Sequence, residues 1–303
     1  MRKVFAVCLS VLMIVSLLVP AFADATPSYG DALAVQNMTK AEFADYCDEL
    51  ASSKSRSVSM LSEEAILDLL GAYSMSTDEK RAEYESILND HGCYIYSCTS
   101  AANTRSQPGD VSMGTVAITY IPYTQEWVVG FSGRWTSVDP VEDEWDELES
   151  LPGIGETQNI GGLDAAGIIF YNTSGSTPNM LSSMCRVTND GDLEYTTTSP
   201  STYNSAQGVA FQYQDYVTVL GYENLYTGVV YDYLGHVFTV SMTFDSSFEL
   251  FNGAARGFYV HTWDQTSITS IGFSADVTGF GLDLSWSNEG YSFQCYSNSD
   301  TQF

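Results

Sequence analysis

Residues 237–244, VFTVSMTF, put Phe238, Val240, Met242 and Phe244 on one side of an extended chain and Thr239, Ser241 and Thr243 on the other. Alternation with a period of two, rich in β-branched and aromatic residues, predicts a β-strand. The same pattern recurs along the second two-thirds of the chain. Val116, Ile118 and Tyr120 alternate with Ala117 and Thr119, and Trp127, Val129, Phe131 and Trp135 share a side opposite Ser132 and Arg134. Val209, Phe211 and Tyr213 follow, then Phe280, Leu282, Leu284 and Trp286 against Gly281, Asp283 and Ser285, and finally Tyr291, Phe293 and Cys295. Turn signals separate the runs at Asp190-Gly191, Leu234-Gly235, Thr278-Gly279 and Ser287-Asn288-Glu289-Gly290. Many short alternating strands with close-set turns predict a mainly β fold, an antiparallel β-sandwich (jelly-roll-like) domain spanning residues 93–303. An outer-membrane barrel is the competing use of such strands, but Ser299 and Thr301 interrupt the apolar alternation that a lipid-facing strand before Phe303 needs.

Ahead of the strands, residues 24–92 form an N-terminal helical region. Thr39 with Glu42 reads as a capping box, followed by Phe43, Tyr46, Cys47 and Leu50 at helical spacing. Ser62 is the expected cap of a second helix carrying Ile66, Leu69, Leu70 and Tyr73 on one face. Ser76 with Glu79 is expected to open a third, with Tyr84, Ile87, Leu88 and His91 as its stripe, and Gly92 is placed for a left-handed C-terminal cap. Between early and late strands, residues 137–162 are acidic and then glycine-rich, and read as a loop inserted in one β domain.

Residues 1–23 read as a signal peptide. Arg2 and Lys3 precede an apolar run from Val4 to Val19, Pro20 breaks it, and Ala21-Phe22-Ala23 supplies a small-x-small cleavage site. The run is too short for a typical membrane span, and no later stretch approaches one. The expectation is therefore a secreted, extracellular protein cleaved after Ala23, with no membrane span once the signal is removed. Cys8 lies too early in the run to be a lipoprotein acceptor.

The chain holds 38 acidic against 11 basic residues, a formal charge of −27. From residue 107 onward only Arg134, Arg186 and Arg256 are basic. Such a field excludes nucleic acid and anionic membrane as partners, because phosphate binding needs clustered Lys and Arg. Cations, cationic peptides and neutral sugars fit it, and the charge also keeps an exported β-protein soluble. Five cysteines follow the leader, Cys47, Cys93, Cys98, Cys185 and Cys295. An odd number leaves at least one thiol unpaired within the chain, and sequence does not give the connectivity. Cys93 and Cys98 can bridge only if the segment between them is a turn. No oligomeric state follows from the sequence.

Three groups of residues carry chemistry. Within the acidic run 142–149, Glu144-x-Asp146-x-x-Glu149 resembles the carboxylate signature of the β-jelly-roll glycoside hydrolases that cut β-glucans. The resemblance implies a nucleophile and a general acid about 5 Å apart. Glu147 departs from it, standing where that family usually has an apolar residue. Glu142, Asp143, Glu144 and Asp146 are also the candidate ligands of a Ca2+ ion, which takes six to eight oxygens. Asn189-Asp190-Gly191-Asp192 resembles a calcium loop but is accounted for by a hairpin turn. Tyr259, His261 and Trp263 share one strand face, the pattern of an aromatic platform for a sugar or peptide and equally of a second buried strand face. Cys47 with His236 or His261 would make a thiol hydrolase, but Cys47 belongs to an apolar helical stripe. No Gly-x-Ser-x-Gly, His-Glu-x-x-His, Walker or Cys-x-x-Cys motif occurs. The sequence thus favours a secreted, non-catalytic binding or interaction module for a glycan, peptide or protein ligand. A secreted carboxylate-dependent hydrolase using Glu144, Asp146 and Glu149 is the alternative.

Overall fold

Capping chemistry sets the helices. The computed structural model describes residues 38–53, 60–96, 100–101, 110–136, 153–189, 194–222, 229–263, 266–276, 279–287, 291–297 and 299–303. The chain falls into two units, Met1–Asn37 and Met38–Phe303, of which the first lies outside the described residues. So do the leader 1–23, the acidic run 142–149, Cys98 and residues 190–193. Helix α1 (Lys40–Ser53) starts at the capping box, where the Thr39 amide donates to Glu42 Oε2 at 2.8 Å and the Glu42 amide to Thr39 Oγ1 at 3.3 Å. Helix α2 (Glu63–Met75) is capped by Ser62, which accepts from the Ala65 amide at 3.2 Å. Helix α3 (Asp78–Asp90) starts at Thr77 rather than Ser76. The Ser76 hydroxyl is spent closing α2, donating to the Ala72 carbonyl at 2.6 Å, so the box with Glu79 does not form. Gly92 ends α3 at φ +74°, the left-handed conformation a glycine adopts without strain. Among the described residues, no helix is long and apolar enough to cross a membrane.

Strands follow in chain order as β1 (Tyr94–Ile95), β2 (Ser100–Ala101), β3 (Val111–Met113), β4 (Ala117–Ile121), β5 (Glu126–Trp135) and β6 (Thr157–Asn172). Next come β7 (Met180–Thr188), β8 (Glu194–Thr197), β9 (Thr202–Asn204), β10 (Gly208–Tyr222), β11 (Val229–Leu234) and β12 (Val237–Phe244). After a 3-10 turn (Ser246–Leu250) the series ends with β13 (Gly253–Trp263), β14 (Ile268–Asp276), β15 (Gly279–Trp286), β16 (Tyr291–Tyr296) and β17 (Asp300–Gln302). Among the described residues all pairings are antiparallel, and they assemble three sheets. Sheet A has seven strands in the order β1-β4-β5-β12-β7-β8, with β3 also on β5. Sheet B has eight in the order β11-β10-β6-β13-β17-β2, with β16 on β13 and β9 on β10. Strands β14 and β15 form a separate hairpin. The chain changes sheet repeatedly: β5 lies in A, β6 in B, β7 in A, β10 in B, β12 in A and β13 in B.

Sheets A and B face each other through aromatic rings. Phe238 of β12 stacks on Tyr259 of β13 with centroids 4.4 Å apart, and Phe170 of β6 meets Phe244 of β12 at 6.0 Å. The fold is thus a mainly β, two-sheet antiparallel sandwich preceded by helices. Its outer faces are covered too. Helix α2 lies over sheet A, where Ile66 and Leu70 join Ala117, Ile121 and Val128 in one apolar cluster. The hairpin lies over sheet B, where Phe273, Phe280, Leu282, Leu284 and Trp286 pack against Ala165, Ile169, Phe258 and Val260. Helix α1 meets the aromatic layer through Phe43, 6.3 Å from the ring of Trp127.

Cover on both faces explains why β5, β12 and β13 are buried almost without a break. Thr239, Ser241 and Thr243, the polar side of the stretch that reads as a strand, are buried under the helical layer. Their neighbour Ser132 donates to the Phe238 carbonyl at 2.8 Å and meets Thr239 Oγ1 at 3.0 Å, so the hydroxyls of Ser132 and Thr239 keep hydrogen bonds on burial. On the hairpin side, Arg256 forks onto both oxygens of Asp300 at 2.8 and 3.0 Å and lies 4.0 Å from the Phe280 ring centroid. Residues 157–162, which read from sequence as the end of a loop, are the start of β6; Gly161 and Gly162 hide the alternation there.

The two sheets are in close contact at Gly257, where an added Cβ would stand 2.2 Å from ring carbons of the buried Phe131. Gly257→Ala is expected to destabilise the fold by about 1–3 kcal/mol through overpacking. Guanidinium melts of the variant beside the parent chain measure it, and equal midpoints would contradict this account of the interface.

Candidate functional site

Two places in the described structure gather functional groups, a polar cluster inside the sandwich and a cleft beneath the helices. The cluster grows from strand phase. On β10, Val209, Phe211, Tyr213, Asp215, Val217 and Val219 alternate inward and are all buried. Asp164 holds the inward phase of β6, and Tyr259 and His261 that of β13. Opposite Asp215 the register between β10 and β6 shifts, and β6 accommodates extra residues with Gly161 at φ +54°. A side chain at Gly162 would fall 1.5 Å from the Thr266 carbonyl oxygen, so only glycine fits there.

The groups that meet are two carboxylates, one imidazole and several phenols. Asp164 and Asp215 are fully buried, and His261 is 4% exposed. Asp164, Asp215 and His261 each place a ligand-type atom within 4.8 Å of the other two. Asp164 Oδ1 accepts from the Thr262 amide at 2.9 Å, while its Oδ2 accepts from the Tyr259 hydroxyl and lies 2.9 Å from His261 Nδ1. The Tyr259 hydroxyl is itself 3.3 Å from that nitrogen and accepts from Trp135 Nε1 at 3.3 Å. Asp215 Oδ2 accepts from the Tyr233 hydroxyl at 2.8 Å, and the Asp215 carbonyl from Gln214 Nε2 at 3.0 Å. Burial, reinforced by the charge of Asp164, drives the hydroxyl pKa values of Tyr259 and Tyr213 well above the usual tyrosine value. Both phenols therefore stay protonated.

Tyr259 and His261 thus lie inside the sandwich. Phe238 covers one face of Tyr259, and the edge of Trp135 meets His261 at 4.8 Å. Trp263, at the end of β13, is half-buried and stacks beside His261 at 5.7 Å. The structure brings these three residues together with Asp164 and Asp215, which the sequence reading did not single out. Their signal was an acid occupying the inward phase of an otherwise apolar alternation. Glu142, Asp143, Glu144, Asp146 and Glu149 lie outside the described residues, so neither the hydrolase pair nor the calcium ligands can be placed. The hairpin expected around residues 189–192 joins β7 and β8, which do pair.

Four cysteines lie among the described residues. Cys47, Cys93, Cys185 and Cys295 are buried thiols in no disulfide. Burial pushes Cys47 and Cys295 up to about 12 and Cys93 up to about 11, and it raises Cys185 as well. A thiol so hard to ionise is a poor nucleophile.

The second place is a cavity of about 470 Å³ between the helical layer and the outer side of sheet A. The helical side supplies Ile66 and Leu67, with Cys93 following α3, and the sheet side supplies Ile121 and Val128 together with the hydroxyls of Ser182, Ser241 and Thr243 and the side chain of Met184. Glu63 and Glu126 also line it, with the exposed Met60 and Tyr123 at its margin. No protein family matches the chain, and comparison with curated proteins finds no match either.

Two outcomes follow. Asp164→Ala strips the acceptor from Tyr259, His261 and the Thr262 amide at once and is expected to cost about 3–5 kcal/mol in chemical denaturation; a loss below 1 kcal/mol would show the network to be dispensable. At about pH 8, iodoacetamide is expected to leave Cys47, Cys93, Cys185 and Cys295 unmodified in the native protein and to alkylate all four in guanidinium. Peptide mapping by mass spectrometry reads both states, and native labelling of Cys185 would contradict its burial.

Proposed function

We propose that this chain is a non-catalytic binding module that accepts a short peptide, an apolar side chain with a neighbouring positive charge, in the cleft between α2 and sheet A. The observation that carries the reading is the mixed lining. Its apolar part suits a buried side chain, and the row of Ser182, Ser241 and Thr243, on the sheet beside Val128, offers hydrogen bonds to a peptide backbone. Its volume falls in the usual range for ligand sites. Glu63 and Glu126 favour a cation at the same place, and a chain of net charge −27 repels anionic ligands at longer range. A peptide is preferred to a glycan because the rings of Tyr259 and His261 are buried rather than open for stacking. The leader-like residues 1–23 support export, which makes the ligand an extracellular one.

Calorimetric titration with the peptide amide Phe-Leu-Lys tests this reading. Binding is expected to weaken about tenfold when the lysine is replaced by glutamate, and to weaken further as salt is added. Met184→Trp, which fills the cleft from a half-buried position, is expected to abolish binding without lowering the melting temperature. An absent heat with the lysine peptide, or unchanged binding by Met184→Trp, would overturn the proposal.

A further inference from the structure

The cluster inside the sandwich resembles an ion site more than a packing accident. Its potential ligand atoms come from three adjacent strands: Asp164 on β6, Asp215 on β10 and His261 on β13. They are two carboxylate oxygens and an imidazole nitrogen within 4.8 Å of one another, and all three residues are buried. Each carboxylate is also steadied from behind by neutral donors, Asp164 by the Thr262 amide at 2.9 Å and Asp215 by the Tyr233 hydroxyl at 2.8 Å. Outer contacts of this kind are what orient metal ligands in closed sites.

A second observation is independent of the three ligands. The Tyr213 hydroxyl, on the same inward face of β10, is buried and close to the Tyr259 hydroxyl, without a well-formed hydrogen bond to any described residue. A buried hydroxyl without a well-formed hydrogen bond needs an explanation, and beside two carboxylates and an imidazole a bound ion supplies one. Tyr213 stands directly across from Asp164 in the β10–β6 register and shares its electrostatic surroundings with Asp215 and Tyr259. Asp164 Oδ2 is the meeting point of the cluster, accepting from the Tyr259 hydroxyl and lying 2.9 Å from His261 Nδ1.

We propose that Asp164, Asp215 and His261 bind one divalent transition-metal ion of the zinc or manganese class, enclosed between the sheets as a structural centre. Mixed oxygen and imidazole nitrogen donors select such ions over calcium, which takes oxygen alone. The phenols of Tyr213 and Tyr259 lie beside the ion, as a further ligand or as donors to the carboxylates. The ion is acquired as the sandwich closes, since its ligands come together only in the folded chain. This inference stands apart from the cleft and its peptide.

The full chain, produced in medium supplemented with zinc and manganese, is dialysed natively against EDTA and its metal measured by plasma mass spectrometry. About one ion per chain is expected to survive, because a closed site exchanges slowly whereas ions on the acidic surface are stripped. X-ray absorption is expected to show nitrogen and oxygen neighbours and no sulfur. His261→Gln and Asp215→Asn are expected to bring the content to background. Because either variant can itself unfold the chain, a separate arm uses the unmutated protein, refolded from guanidinium with EDTA, Zn2+ or Mn2+. Refolding with one of the two ions is expected to raise the melting temperature by several degrees. Background metal in the parent chain, a sulfur neighbour, or identical melting from all three refolding mixtures would overturn the proposal and leave the cluster as a hydrogen-bonded core.

Discussion

Phe238 lies flat against Tyr259 across the space between two sheets, and most of the molecule is arranged around keeping that contact dry. The ring of Phe238 belongs to the central strand of sheet A and that of Tyr259 to a central strand of sheet B, so their separation of 4.4 Å sets how closely the sheets approach. Gly257 stands where a larger residue would press the sheets apart, opposite Phe131, and Gly133 leaves room beside it in sheet A for the Phe238 ring. The outer faces carry apolar residues too, Ala117, Ile121 and Val128 on sheet A and Ala165, Ile169 and Phe258 on sheet B, and α2 and the β14–β15 hairpin cover them. The result is four layers in which the central strands are buried along nearly all of their length.

Against that background the Asp164–Asp215–His261 cluster is the costly part of the core. A carboxylate removed from water loses several kcal/mol of solvation unless hydrogen bonds or an opposite charge replace it. The hydroxyls of Tyr259 and Tyr233 and the amide of Thr262 make part of that replacement. Their geometry also explains why Tyr259 is tyrosine when its ring contacts would suit phenylalanine equally well. One hydroxyl joins Trp135 of sheet A to Asp164 of sheet B, a polar link across an apolar interface.

How much of this was written in the sequence depends on distance along the chain. The Thr39–Glu42 box, the Ser62 cap and the Gly92 terminus are local and appear as read. The strands are equally legible, since a period of two needs only neighbouring residues. Thr239, Ser241 and Thr243 marked one side of β12 as polar, but its burial depends on α2, whose residues lie more than 160 positions earlier. Leu234-Gly235 was visible as a turn, while nothing local indicates that it carries the chain from sheet B to sheet A. Tyr259 and His261 were singled out for their shared face, yet their partners Asp164 and Asp215 sit on strands that only the sheet order brings beside them. Ser76 shows the opposite limit: two helices compete for one hydroxyl, and the helix that ends there wins it.

The repeated passage of the chain between sheets has a consequence in time. Neither sheet can be completed from consecutive segments, because β6 must wait for β13 and β5 for β12, each separated by about a hundred residues. Interfaces built from such distant pairs close late. Until they do, Cys185 and Cys295, which end in the dry layer, stand in water with ordinary thiol reactivity. Wherever this chain folds in the presence of an oxidant, closing the sandwich is a race against disulfide exchange. Once closed, the same packing that slowed the sheets keeps the thiols reduced.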